Sequence, residues 1–335
     1  MPPVVLVRPI VEADAPQVQA LADLLDTVNL PDDPAAIAGL IARSAASFAG
    51  QGGAHPQFTL VAEREGRILG TASLFARHGT PDDPHYYLRI EDLTLTSRSL
   101  GTSRERRVLR LGRDTEPWTE LGGLVVHPDA RGQGVGKLLV AARLLLVAMH
   151  RDWFCDRLLA ELLPPRDADG TGNAFWDAIG GPLTGLEYYR ADLLCRNDKE
   201  FIEAFFPHQE LVVDLLPEPA RALIGVEGPA TAPVRALLRR AGFRFLGTID
   251  PFDAGPHDGA EVAAVAPIAR ARRLVRLDLP PLARTPGALL VAGGAHRFAS
   301  APAEVAGEGL RLYHEWSQRL QVAPGDAAWA MPLDW

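Results

Sequence analysis

The chain is poor in cysteine, with only Cys155 and Cys195 among 335 residues. Neither stands in a CxxC pair or a Cys/His ligand spacing, so a disulfide framework and a zinc signature are both excluded, and no metal ligand is assigned. A basic surplus is lacking too. The net charge of −8 argues against a nucleic-acid partner, because phosphate backbones are met by basic surfaces. It suits a small, cationic substrate better. The longest apolar run, LLVAARLLLVAM, is broken by Arg143 and is too short to span a bilayer. The opening MPPVVLVRPIVEADAPQ lacks the charged-then-apolar order of a secretory signal. These absences together predict a cytoplasmic protein with no membrane partner. What is present is ordinary globular composition: 47% hydrophobic against 23% charged buries a substantial core. The length suits one large domain or two smaller ones.

Residues 3–9 read as a short strand, followed by a helix capped by Asp14 that repeats Val18, Leu21, Leu25 and Val28 at helical spacing. A second helix starts at Asp33-Pro34, with Ile37, Leu40 and Ile41 on one face. Three β-like segments follow: QFTLVAERE, RILGTASLFA after a break at Gly66, and YYLRIEDLTLTS after a Pro/Asp loop. Residues 119–127 predict a fourth strand and 158–163 a fifth, ended by Pro164-Pro165. In the second half, NAFWDAIGGPL and APVRALLRRAGFRFLGTID each predict a helix, a glycine stop and a strand. From Ile268 the pattern turns to short β-segments, which predicts a small β-rich unit over 268–335 after a main domain over 1–267. The fold class is α/β (α+β), a mixed twisted sheet with flanking helices.

Between the fourth strand and a Leu/Ala helix lies HPDARGQGVGK, His127 to Lys137. At a strand-to-helix junction the first helical N–H groups lack partners and carry the positive end of the helix dipole. An anion such as a pyrophosphate is bound there by backbone alone. Glycines at 132, 134 and 136 remove Cβ atoms that would obstruct it, while Arg131 and Lys137 add positive charge. The spacing is not that of a P-loop, since Lys137 is followed by Leu138. It is not the Gly-x-Gly-x-x-Gly dinucleotide fingerprint either.

Leu124-Val-Val-His-Pro128 followed by Arg131-Gly-Gln-Gly-Val-Gly136 resembles the acyl-CoA pyrophosphate loop of the GNAT acyltransferases. The resemblance implies that Leu124, Val125 and Val126 pair with the pantetheine arm, and that the fourth and fifth strands part to admit it. Arg131, Gly132, Gln133, Gly134, Val135, Gly136 and Lys137 would then hold the pyrophosphate. An amine attacks the thioester directly, with His127 left a structural role.

Farther along, the chain resembles the arginine N-succinyltransferases of bacterial arginine catabolism. The segments carrying this are Asp82-Asp-Pro-His-Tyr-Tyr-Leu-Arg89, Phe175-Trp-Asp-Ala-Ile-Gly180, Tyr189-Arg-Ala-Asp-Leu-Leu-Cys195, Thr231-Ala-Pro-Val-Arg235 and Ile249-Asp-Pro-Phe-Asp-Ala-Gly-Pro256. The resemblance implies succinyl transfer from succinyl-CoA, a co-substrate rather than a bound cofactor, to the α-amino group of L-arginine or ornithine. A homo- or hetero-oligomer is expected.

Two departures stand out. The family's proton-handling histidine, in a Val-His-Pro-x-Thr-Ala-Pro context, falls on Gly228 in Val226-Glu-Gly-Pro-Ala-Thr-Ala-Pro233, and glycine transfers no proton. Glu227, Glu161 and His208 are the substitutes considered, a carboxylate needing a raised pKa for this work. Restoring histidine at 228 is expected to raise activity if only the base is lost. The family's Thr-Ser-Leu-Pro stretch is replaced by Asp26-Thr-Val-Asn-Leu-Pro31, which leaves the acceptor open. Glu91, Glu161, Glu187 and Asp192 are acidic candidates to face it, Glu187 and Asp192 first. A GNAT N-acetyltransferase for another amine, and a non-catalytic subunit partnering a histidine-bearing sister, are the alternative readings.

Overall fold

The computed structural model describes residues 5–25, 30, 33–165, 173–195, 198–278, 289–293, 299–306, 309–312 and 314–335. Its strands are β1 (Leu6–Pro9), β2 (Gln57–Arg64), β3 (Arg67–His78), β4 (His85–Ser97), β5 (Thr102–Asp114), β6 (Trp118–Glu120), β7 (Val125–Val126) and β8 (Arg157–Glu161). They continue as β9 (Leu211–Val212), β10 (Arg244–Ile249), β11 (Pro256–Glu261), β12 (Arg272–Arg276), β13 (Leu289–Gly293), β14 (Ala299–Ala306), β15 (Gly309–Arg311) and β16 (Ala327–Pro332). The helices are α1 (Ala15–Leu25), α2 (Pro34–Phe48), α3 (Val135–Met149), α4 (Ala174–Ala178), α5 (Gly180–Thr184), α6 (Tyr188–Cys195), α7 (Glu200–Phe205), α8 (Glu218–Leu223), α9 (Ala232–Ala241), α10 (Ala266–Ala269) and α11 (His314–Leu320).

These strands form one mixed sheet with flanking helices, ordered β13-β16-β12-β15-β14-β1-β2-β3-β6-β8-β11-β10-β4-β5-β9. Local chemistry sets the first helices: Asp33 accepts a hydrogen bond from the Ala36 N–H and Pro34 takes the first turn of α2. α3 buries residues on every face, including Leu139, Val140, Leu144 and Leu145. It is covered on one side by β2 and β3 and on others by α9, α10 and the C-terminal strands, which is why its sequence is apolar all round. A second core gathers Phe175, Trp176, Phe206 and Phe252 over β4, β5 and β10, with Trp176 stacked on Phe252 at 4.7 Å. The C-terminal strands have a core of their own and join the sheet where Val7 pairs with Ser300.

Three sequence expectations change. The strand expected over 119–127 is broken into β6, parallel to β8, and β7, antiparallel to β3. β5 was not foreseen, because its first half, Thr102–Arg107, is exposed and charged and shows no apolar alternation. Its pairing with β4 makes a long hairpin and moves the broken strand later in chain order. NAFWDAIGGPL makes α4 and α5, but no strand follows; α6 and α7 come next. Residues 26–29 and 31–32, most of the altered acceptor-side segment, lie outside the described residues.

Candidate active site

The break between β6 and β7 creates the site. The strands β6 and β8 pair through Thr119–Leu158 and Glu120–Leu159, and the Leu121 N–H donates to the Leu159 carbonyl at 2.8 Å. Beyond that point β7 pairs with β3 alone, so the two strands part. The buried Arg143 of α3 props the break open from beneath, its Nη1 donating to the Gly122 carbonyl at 3.1 Å and to that of Ser73 at 3.3 Å. Burial lowers its pKa to about 10, with the Glu120 charge opposing.

A cleft of about 930 Å³ runs through this gap. Leu124, Val125 and Val126 line its wall, and Arg131, Gly132, Gly134, Val135 and Gly136 line one end. Gly132 and Gly134 have φ of +74° and +80°, a conformation that glycine alone adopts cheaply. Gly134 is the N-cap of α3, and the first intrahelical bond runs from the Leu138 N–H to the Gly134 carbonyl at 3.0 Å. The N–H groups of Val135 and Gly136 therefore remain for a ligand. The loop's polar side chains serve other ends. Gln133 donates to the Asp129 carbonyl and accepts from Arg64, and exposed Arg131 leans on the Val126 carbonyl at 3.4 Å. Lys137, expected at the rim, instead points at the segment after β16: its Nζ donates to backbone oxygens of Leu333 at 2.5 Å and Trp335 at 3.1 Å.

At the other end of the cleft sit ionisable side chains from several strand ends: His78, His85, Glu120, Glu161 and Asp250, with Lys199 beside them. Glu161 is the hub. Its Oε1 lies 2.9 Å from His85 Nε2 and 3.5 Å from His78 Nε2, while His78 Nδ1 stands 3.3 Å from Glu120 Oε2. Burial and the Glu161 charge push Glu120 up to about 8 and Asp250 up to about 7. Burial alone would raise Glu161 too, but the His78 and His85 rings hold it well below the carboxylate range. Burial depresses His78 and brings fully buried His257, the next ring behind, down to about 3. Lys199 is anchored by Asp83 at 2.9 Å.

Of the acid and base candidates read from sequence, the cleft gathers Glu161 and Asp192. Glu227 does not line it: Arg235 Nη1 binds its carboxylate at 2.5 Å. A bond to its own backbone N–H, followed by the Arg235 contact, holds it below the usual range, against burial. His208 is exposed, its Nε2 bound to the Glu203 carbonyl at 3.0 Å. Glu187 is exposed outside the cleft, and Glu91 pairs with Arg110 at 2.8 Å. Gly228 does line the cleft, but its backbone leaves no room for a side chain: a Cβ there would meet the Pro164 carbonyl oxygen at 2.5 Å.

Comparison with known proteins agrees with this architecture. Residues 5–267 match the family model described as the arginine N-succinyltransferase beta subunit. The chain belongs to the arginine N-succinyltransferase family. It is 31% identical over 341 residues to the arginine N-succinyltransferase subunit beta of Pseudomonas aeruginosa, covering 98% of each chain. It is 30% identical over 300 residues to the arginine N-succinyltransferase of Citrobacter koseri, covering 88% of this chain and 87% of that one. The solved structure of arginine/ornithine succinyltransferase subunit AI from Pseudomonas aeruginosa superposes with a TM-score of 0.85 at 28% identity, over 99% of this chain and 100% of the other. A member of this family is an acyltransferase, and the GNAT-like sheet expected from the glycine loop is the one observed.

Sequence reasoning missed the roles of His78, His85, Glu120, Asp250 and His257. Their signal was weak but real: each ends, begins or directly follows a strand, except His257, which is the second residue of β11. Buried ionisable groups at strand ends are candidates for function. No linear spacing joins them, because they come from different strands.

Proposed function

We propose that this chain transfers a succinyl group from succinyl-CoA to the α-amino group of arginine or ornithine. The observation carrying this reading is that one cleft joins an open helix N-terminus to a buried, carboxylate-rich pocket. The pyrophosphate would lie on the Val135 and Gly136 N–H groups with Arg131 at the rim, and the pantetheine arm along Leu124–Val126, strand-like beside β7. That track leads the thioester toward the break at Gly122. Glu120, Glu161, Asp192 and Asp250 provide the negative charge a cationic acceptor needs, and removal of the amine proton falls to the cluster around Glu161 as a unit. The family-model match ending at residue 267 supports a boundary there between the catalytic domain and the small β-rich C-terminal unit. A cytoplasmic setting fits the co-substrate, and no helix among the described residues is long and apolar enough to cross a membrane.

The test is thermal stabilisation by succinyl-CoA, acetyl-CoA and CoA, followed by amine-dependent thiol release with arginine and ornithine. Stabilisation by succinyl-CoA together with arginine-dependent release is the expected result. A protein that no CoA species stabilises would not be an acyl-CoA enzyme. Binding without release would favour a second reading, a partner subunit, for which the filled space at Gly228 and the naming of two relatives as subunits speak.

A further inference from the structure

The side chains at the closed end of the cleft carry an arrangement that acyl transfer does not require. His78 Nε2, His85 Nε2 and Glu161 Oε1 lie within 4.8 Å of one another. All three atoms are buried, and among the described residues none makes a well-formed hydrogen bond. The 2.9 Å and 3.5 Å contacts with Glu161 are ion-pair approaches rather than well-formed hydrogen bonds, and His85 as a whole is only 7% exposed. Buried polar atoms left this way are costly unless something else satisfies them.

Three ligand atoms that converge this closely, without well-formed hydrogen bonds among them, point at a shared partner. Ligands held about 2.1 Å from one ion stand about 3.0–3.4 Å apart in octahedral or tetrahedral geometry, close to the two separations seen. The surroundings have the form of a metal site as well. His78 turns its other nitrogen to the Glu120 carboxylate at 3.3 Å, the contact that fixes the tautomer and orientation of a metal-bound imidazole. A second group, Glu161, Asp250 and His257, shares the Glu161 carboxylate, and the His257 Nε2 is again buried and without a hydrogen-bond partner among the described residues.

We propose that His78, His85 and Glu161 bind a first-row divalent transition-metal ion of the Zn2+ class at the acceptor end of the cleft, with Glu120 orienting His78. Two imidazoles with one carboxylate select such an ion over Mg2+ or Ca2+, which take oxygen ligands. Three protein ligands leave a coordination position open toward the cleft. The ligands come from β3, the first residue of β4 and the last of β8, so this site does not use the glycine loop, although it shares Glu161 and Glu120 with the acceptor pocket of the proposed function.

The test uses the full chain stripped with chelator and dialysed. Zn2+ is titrated by calorimetry, and Co2+ by its visible d–d absorption, which reports mixed nitrogen and oxygen coordination. One ion per chain, bound at micromolar concentration or tighter, is expected. His85→Ala and Glu161→Gln should each weaken binding by about a hundredfold or more, and Glu120→Gln by about tenfold through the His78 orientation. Succinyl-CoA stabilisation, measured on every variant, reports folding separately from metal. Failure of the stripped wild type to bind either ion overturns the proposal. So does undiminished binding in both ligand variants, because the ion would then sit elsewhere. Loss of CoA stabilisation in the wild type would instead count against the acyl-CoA reading and leave the metal result standing.

Discussion

The Cα of Gly228 packs against the backbone of Pro164 so closely that a Cβ would come within 2.5 Å of the Pro164 carbonyl oxygen. The Gly228 N–H donates to the Leu163 carbonyl at 2.9 Å, and Thr231 Oγ1 donates to the same carbonyl at 2.8 Å, so the two segments are pinned together. The sequence reading treated residue 228 as a lost base that histidine would restore. The packing predicts otherwise. Gly228→Ala and Gly228→His should each destabilise by roughly 1–3 kcal/mol, as overpacking does, without a gain in activity. Urea denaturation beside thiol-release assays checks this, and a more active, equally stable Gly228→His would refute it.

Gly136 presents the opposite case. A Cβ there meets only Val126 Cγ2, at an ordinary 3.7 Å, so the fold has no need of glycine at this helical position. Gly136→Ala should leave stability unchanged or raise it by up to ~1 kcal/mol. The same Cβ intrudes where the pyrophosphate is read to lie, and acyl-CoA affinity should fall roughly tenfold, about 1.4 kcal/mol. Unaltered CoA titration of this variant would remove the cradle from the reading.

Lys137 separates sequence motif from structural role. Its ammonium holds two carbonyls of the C-terminal segment and lies 5.5 Å from the Trp335 ring centroid. Lys137→Met should therefore cost about 1–2 kcal/mol of stability through the lost hydrogen bonds while acyl-CoA affinity stays the same. A selective loss of CoA binding in a stable Lys137→Met protein would restore it to the phosphate site.

Arg143 is the buried cation beneath the strand break. Arg143→Leu strips the carbonyls of Gly122 and Ser73 of their shared donor and removes one of the two positive charges acting on Glu120, Lys199 being the other. A loss of about 3–5 kcal/mol is expected, as when one partner of a buried charge set is removed. Equilibrium unfolding measures it; a change below ~1 kcal/mol would mean that the break stands without this prop.

The Arg8–Glu63 contact gives a pH signature far from the cleft. Burial works to raise Glu63, but the hydrogen bond from Arg8 at 2.7 Å and the charges of Arg8 and Arg319 outweigh it, leaving the pKa depressed. A carboxyl lowered in the folded state contributes stability above its unfolded pKa of about 4.3, and that contribution is lost as pH falls through the folded value. Glu63→Gln should flatten the acid limb of stability below that pH. Denaturation midpoints from pH 3 to 7 of wild type and variant test it.

The amino-acid sequence by itself determined the local elements and the glycine loop. Asp33-Pro34 starts α2, Gly66 turns β2 into β3, and glycines 132 and 134 supply left-handed turns just before an apolar helix, because each feature depends on neighbours within a few residues. Glu161 could be named from its place on β8. Tertiary structure alone decided the rest. It brought His78, His85, Glu120 and Asp250 to Glu161 from separate strands and strand ends, withdrew Lys137 to the segment after β16, tied Glu227 to Arg235, and closed the space at Gly228. Those outcomes depend on sheet order and on which backbone lies behind a residue. Neither is written in the spacing of residues along the chain.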